Sequence, residues 1–148
     1  METVLFIKPL QEYSIVIAFM KSDKIYIHDA YVLSDILSCL DEVKRLIDAK
    51  DANYPIVRVV FDASIYTQEA FTLRKTIDCD VLLHHPKKKF EIRAVNNLNR
   101  IKEFVYRKTR TETYKRFMNI FETYSTNDKY NVTIDVLSDV SKYYQINQ

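Results

Sequence analysis

A mixed α/β domain built on one sheet is what this sequence predicts, and three observations carry the prediction. Three β-branched and aromatic runs follow one another closely at the N-terminus; helix-like and strand-like segments then alternate; and the last third is helical in period. With 148 residues, 47% of them hydrophobic and 28% charged, residues 1–148 are expected to form a single soluble domain around one core.

Residues 3–8 read as a buried strand that Pro9 stops, because proline has no N–H to give a ladder. Residues 13–20 form a second strand and residues 25–28 a third, which ends near Asp29; the turn between them, at residues 21–24, must use Ser22 and Asp23. Short links make the three an antiparallel meander. Ser34 is a candidate cap for a helix whose apolar positions Ile36, Leu37, Leu40, Val43, Leu46 and Ile47 keep the 3.6-residue period to about Lys50. Pro55 opens a fourth strand, 56–61, apolar enough for burial on both faces and ending on Asp62. Thr67 caps a helix to about Ile77, and residues 81–83 give a fifth strand before a loop through Pro86 and Lys87 to Lys89. Helices over about 91–106, 111–124 and 133–145 complete the chain. The order βββαβαβ followed by helices is the layout of a ribonuclease H-like fold: a five-stranded mixed sheet, three antiparallel strands then two parallel, with flanking and C-terminal helices.

Composition excludes several functions. Glycine is absent, so there is neither a phosphate-binding P-loop nor a dinucleotide fingerprint, both of which need backbone that approaches phosphate without a Cβ in the way. No apolar run approaches the roughly 20 residues that cross a bilayer, and no cleavable signal pattern follows Met1, so an intracellular protein, in the cytoplasm of a host cell, is expected. Cys39 and Cys79 lack metal or CxxC spacing and read as reduced core thiols. Charge is uneven. Residues 84–116 carry eleven Lys or Arg against three acids, a net of +8 in a chain of +2, which leaves −6 elsewhere. A phosphate backbone attracts such a segment, with Lys87, Lys88, Lys89, Arg93, Arg100, Arg107, Lys108 and Arg110 as candidate contacts, unless the segment is simply a solvated basic face. His84 and His85, leading into the lysines, either contact phosphate or belong to a surface loop.

Several stretches, in order along nearly the whole chain, resemble the C-terminal nuclease domain of phage terminase large subunits. Ile7-Lys8-Pro9 stands where that family's first strand ends in an Ile-Asp-Pro type motif. Residues 24–32, Lys-Ile-Tyr-Ile-His-Asp-Ala-Tyr-Val, are similar to its strand ending in an aspartate-containing turn. Residues 59–64, Val-Val-Phe-Asp-Ala-Ser, sit at the strand that ends in a carboxylate. Asn99-Arg100-Ile101 resembles its Lys/Arg-Ile pair. The tail, from Tyr114 through Asn131-Val132-Thr133-Ile134-Asp135-Val136-Leu137-Ser138, resembles the segment in which an Asp-Asp pair opens the last helix.

The resemblance implies phosphodiester cleavage by two divalent ions held by converging carboxylates. Position by position, the ligands fall on Lys8, Asp62, Asn131 and Val132, so one matched carboxylate remains. Lys8 is expected to ion-pair with Asp62 in the space of the lost metal, with an exposed strand-end lysine as the alternative. Asp29, Asp135 and Asp139 are substitute acids; Asp135 and Asp139, four residues apart, lie on one helix face that is expected to be solvated. The expectation is a catalytically degenerate, terminase-like domain that needs no cofactor and binds DNA through 84–116, or a viral packaging or replication protein. An active Mg²⁺- or Mn²⁺-dependent endonuclease with a rearranged acidic site, and a structural or regulatory module whose basic strip meets an acidic protein, are the alternatives. Tyr106, Tyr130 and Tyr143 are candidates for stacking on bases or a partner. Nothing in the sequence speaks to the oligomeric state.

Overall fold

The structure, a computed structural model, describes all residues except 11, 109–110, 126–129 and 147–148; Arg110, a candidate contact, lies outside the described residues. The elements are β1 (Thr3–Leu10), β2 (Glu12–Lys21), β3 (Lys24–Leu33), α1 (Ile36–Ala49), β4 (Ile56–Asp62), α2 (Thr67–Thr76), β5 (Asp80–His84), α3 (Phe90–Glu103), β6 (Val105–Tyr106), α4 (Glu112–Glu122) and α5 (Val132–Ile146). They build a mixed sheet of order β5-β4-β1-β2-β3-β6. β1, β2 and β3 pair antiparallel, whereas β4 lies parallel to β1, β5 to β4 and β6 to β3.

The sheet has six strands, one more than expected. The helix predicted over 91–106 ends at Glu103, and Val105 and Tyr106 pair with Tyr26 and Ile27 on the outer edge of β3. Two residues are too few to show a period-2 pattern, so only the open edge of β3 defines this strand. β1 also continues through Pro9 to Leu10. Its pairing with β4 stops at Ile7, leaving β2 as its only strand neighbour at Pro9 among the described residues, where the missing N–H costs little. β3 runs past Asp29 to Leu33 because the register with β2 shifts between Ile17 and Ala18, a bulge that absorbs His28. Asp29 then satisfies itself locally, accepting from the Ala30 N–H at 2.9 Å and the Tyr31 hydroxyl at 2.8 Å. The cap of α1 is Asp35 rather than Ser34: its Oδ1 accepts from the Ser38 N–H at 2.8 Å. Ser22 and Asp23 both take positive φ, 51° and 62°, closing the β2–β3 turn without glycine.

Side-chain alternation splits the core in two. Leu5, Ile7, Ile15, Ile17, Val59 and Phe61 face α1 and α2. Val4, Phe6, Val16 and Val60 face α3, α4 and α5, where Tyr114, Phe117, Leu137 and Val140 close the layer. β1, β4 and β5 run the same way, so their C-terminal tips emerge at one end of the sheet. By the period of two, Lys8, Asp62 and His84 share the face of Phe6 and Val60, beneath α5.

Candidate functional site

At those tips the structure brings six ionisable side chains together. The Lys8 ammonium, 2% exposed, donates to Asp62 Oδ2 and lies 3.2 Å from Asp135 Oδ2. The Arg93 guanidinium reaches in from the first turn of α3 to Asp135 Oδ1, while its Nε donates to the Lys88 carbonyl at 2.9 Å. His84 Nε2 stands 3.3 Å from Asp139 Oδ1. Ser64 holds the other Asp62 oxygen through its hydroxyl at 2.6 Å and its N–H at 3.1 Å, and the Tyr130 hydroxyl donates to Asp135 Oδ2 at 2.8 Å. Three carboxylates thus meet two permanent cations and an imidazole. Among the described residues no buried side-chain polar atom lacks a partner.

Asp135 and Asp139 were expected on a solvated face, and both are buried instead. The reason is α5 itself, which is buried all round from its first turn to Ser141, enclosed by the sheet and by α3 and α4. Its Asp and Ser residues mask that burial in the sequence, because burial normally reads as apolar on every side. The helix starts where the resemblance places a carboxylate pair, but Asn131 there is the cap: its Oδ1 accepts from the N–H groups of Thr133 at 3.0 Å and Ile134 at 3.2 Å. Val132 packs in the interior. The acids that reach Lys8 and Asp62 come one and two turns later.

Burial sets the electrostatics. Desolvation alone would lower the Lys8 pKa, but the charges of Asp139, Asp135 and Asp62 outweigh it and raise it above the ordinary lysine value. Desolvation would likewise raise Asp62, and Lys8 with Ser64 hold it below the usual carboxylate range. Asp139 lacks such compensation: burial pushes it up to about 6 despite the hydrogen bond to His84. That hydrogen bond in turn raises the imidazole above its ordinary value.

The remaining candidates scatter. Asp29 lies in the middle of β3, two strands away from β1, outside the cluster. The basic segment does not form one strip. Lys87, Lys88 and Lys89 are exposed beside the tip of β5, whereas Arg107 and Lys108 follow β6, the opposite edge of the sheet and roughly 24 Å away at five strand spacings. Arg107 donates to the His28 carbonyl at 3.0 Å, Arg100 is half-buried on α3, and Arg93 is committed to Asp135. The three tyrosines are engaged internally: Tyr106 donates to the Ile101 carbonyl, Tyr130 to Asp135, and Tyr143 packs edge-on against Phe6 at 5.4 Å. Lys142 and Ser64 were not among the residues expected from the sequence. The i,i+3 spacing of Lys142 from Asp139 was the available signal for the former.

Next to the cluster lies a cavity of about 530 Å³ between the β5 tip, the loop that follows it, α3 and α5. Asn97, Ser138 and Asp139 are the buried part of its lining, its floor, with His84 and Arg93 half-buried beside them.

The residues present do not suit a pair of Mg²⁺ ions. Such ions need several oxygens each, and here Lys8 and Arg93 occupy the carboxylates from inside. A single ion is different: Asp62, His84 and Asp139 each offer a ligand atom within 4.8 Å of the others, a mixed oxygen and nitrogen set that suits a transition ion better than Mg²⁺. Among the described residues, no helix is long and apolar enough to cross a membrane.

Comparison by sequence finds no matching protein-family model and no matching curated protein. Comparison of folds does find matches. The large terminase of a thermophilic bacteriophage, in complex with ADP, superposes with a TM-score of 0.66 at 11% identity over 99% of this chain and 40% of that one. The human cytomegalovirus terminase nuclease domain, soaked with Mn, does so with a TM-score of 0.62 at 8% identity, over 98% of this chain and 85% of that domain. The fold is therefore the ribonuclease H-like fold of terminase nucleases, and the chain spans about 40% of the length of the phage protein.

Proposed function

We propose that this domain is a catalytically degenerate terminase-type nuclease, a pseudo-nuclease that serves viral DNA packaging or processing by binding DNA or an assembly partner rather than by cutting. The single observation behind this reading is the Lys8 ammonium, buried between Asp62 and Asp135. Two divalent ions about 4 Å apart would have to displace it. Expulsion would strip a buried ammonium of its partners, and breaking such a pair costs about 3–5 kcal/mol. Leaving it in place would set a cation against four positive charges at contact distance in a low dielectric.

A plasmid-nicking assay with Mn²⁺ tests the reading. Wild type is expected to nick no more than Asp62→Ala, and Mn²⁺ calorimetry is expected to show no two-ion binding. Mn²⁺-dependent nicking that disappears in Asp62→Ala would overturn the proposal. It would favour the second reading, an endonuclease with a rearranged site, for which the Asp62, His84 and Asp139 triad speaks; in that case Asp139→Asn also abolishes nicking.

A further inference from the structure

The floor of the cavity beside the cluster and its rim differ in charge. In the floor, Asp139 is answered by His84, and behind the lining Asp62 and Asp135 are answered by Lys8 and Arg93. On the rim stand His85, Lys87 and Lys88 from the loop after β5 and Lys142 from α5, and none of these four has an ion-pair partner among the described residues. The three lysines come from two elements, the loop and α5, that line the same cavity. Lys142 is aimed there by the helix period, one turn beyond Asp139, which lines the same cavity. Asn96 of α3 and Gln145 of α5 add amide side chains that can donate to an anion. Since the acids below are already neutralised, the rim's charge is left over, and in a concave site it is focused inward.

Size and charge narrow the ligand. At about 530 Å³ the cavity falls inside the range of small-molecule sites and admits a nucleotide-sized group. An internal phosphodiester brings one negative charge and must continue outward in two directions. A phosphate monoester carries between about −1.5 and −2 at neutral pH and three acceptor oxygens, which matches several converging donors, and because it ends a chain it needs only one way out of a concave site. We infer that this cavity binds a terminal phosphate, at the end of a nucleic-acid strand or on a free nucleotide, through Lys87, Lys88 and Lys142 and without a divalent metal. The inference rests on the metal-independent reading above.

Fluorescence anisotropy with a 5′-phosphorylated single-stranded oligonucleotide and its unphosphorylated twin, both in EDTA, tests the site. The phosphorylated strand is expected to bind about tenfold more tightly, the size of one charge-assisted hydrogen bond. The double variant Lys88→Gln/Lys142→Gln is expected to lose that preference, and Lys89→Gln, on the same loop but outside the cavity lining, is expected to keep it. All three lysines are exposed, so folding is not at stake. Equal affinity for the two strands, or a preference that survives in the double variant, overturns the inference, while strand binding by itself would leave the DNA reading standing. A nucleoside monophosphate that competes off the phosphorylated strand supports the site. If the monophosphate binds and neither strand does, the cavity holds a free nucleotide and the DNA reading falls. Displacement by a polyglutamate peptide as effective as that by the monophosphate overturns the inference in favour of an acidic protein.

Discussion

Facing α1 and α2, the sheet is apolar to its tips: Ile7, Ile15 and Phe61 pack on Cys39, Val43 and Leu73. Facing α3 to α5, the same strands bury Val4, Phe6 and Val60 and then, one alternation further on, Lys8 and Asp62. Apolar burial is divisible, each side chain contributing roughly in proportion to the area it loses to water. Ionic burial is not. Lys8 is tolerated only because Asp62 and Asp135 are there, Asp135 only because Lys8, Arg93 and Tyr130 are there. The two faces should therefore respond to substitution in different ways.

The largest effect should come from Asp135→Ala, which leaves the buried Lys8 and the half-buried Arg93 without their shared partner. A loss of about 3–5 kcal/mol in urea unfolding is expected, against about 1 kcal/mol for Ile15→Val on the other face. Similar losses for the two would erase the contrast. Next, Lys8→Met and Asp62→Leu should each be costly alone, while the pair together should be less destabilising than the sum by about 1–3 kcal/mol. Additive losses in this double-mutant cycle would mean that the two side chains do not depend on each other.

A pH titration sharpens the same contrast. Asp139, raised to about 6 from an ordinary 3.8, keeps in the fold a proton that the unfolded chain releases, so its contribution is full below 3.8 and lost as pH rises through 6. His84 is raised too; its contribution is full below 6.5 and lost above its folded value. Asp62 is lowered and acts oppositely, its contribution being lost only as pH falls below 3.8. Stability should accordingly drop as pH rises from about 4 through neutrality, by no more than about 3 kcal/mol from Asp139, which calorimetry would register as a Tm lower by several degrees. A Tm that rises over this window would contradict the buried histidine–aspartate pair. The smallest effect on stability, within about 0.5 kcal/mol, is expected for Lys142→Gln, an exposed rim residue. Its stability curve should overlay wild type even as phosphate binding weakens.

The strands that carry Lys8 and Asp62 were legible in the sequence, since apolar runs and alternation are local properties written in consecutive residues. So was the expected pairing of Lys8 with Asp62, because each residue ends a legible strand. The absence of glycine settled which nucleotide-binding loops are impossible, whatever the fold. Other features needed the tertiary structure. Whether Asp135 and Asp139 meet water or Lys8 depends on what packs around α5, and an i,i+4 pair of acids reads the same in either case. The basic segment reads as one strip along the chain, yet α3 carries its two ends to opposite edges of the sheet, and Lys142 joins the front end from a helix far away in sequence. Periodicity reports on neighbours within an element; the charge balance of a buried site is decided by residues from five separate segments, and only packing brings those together.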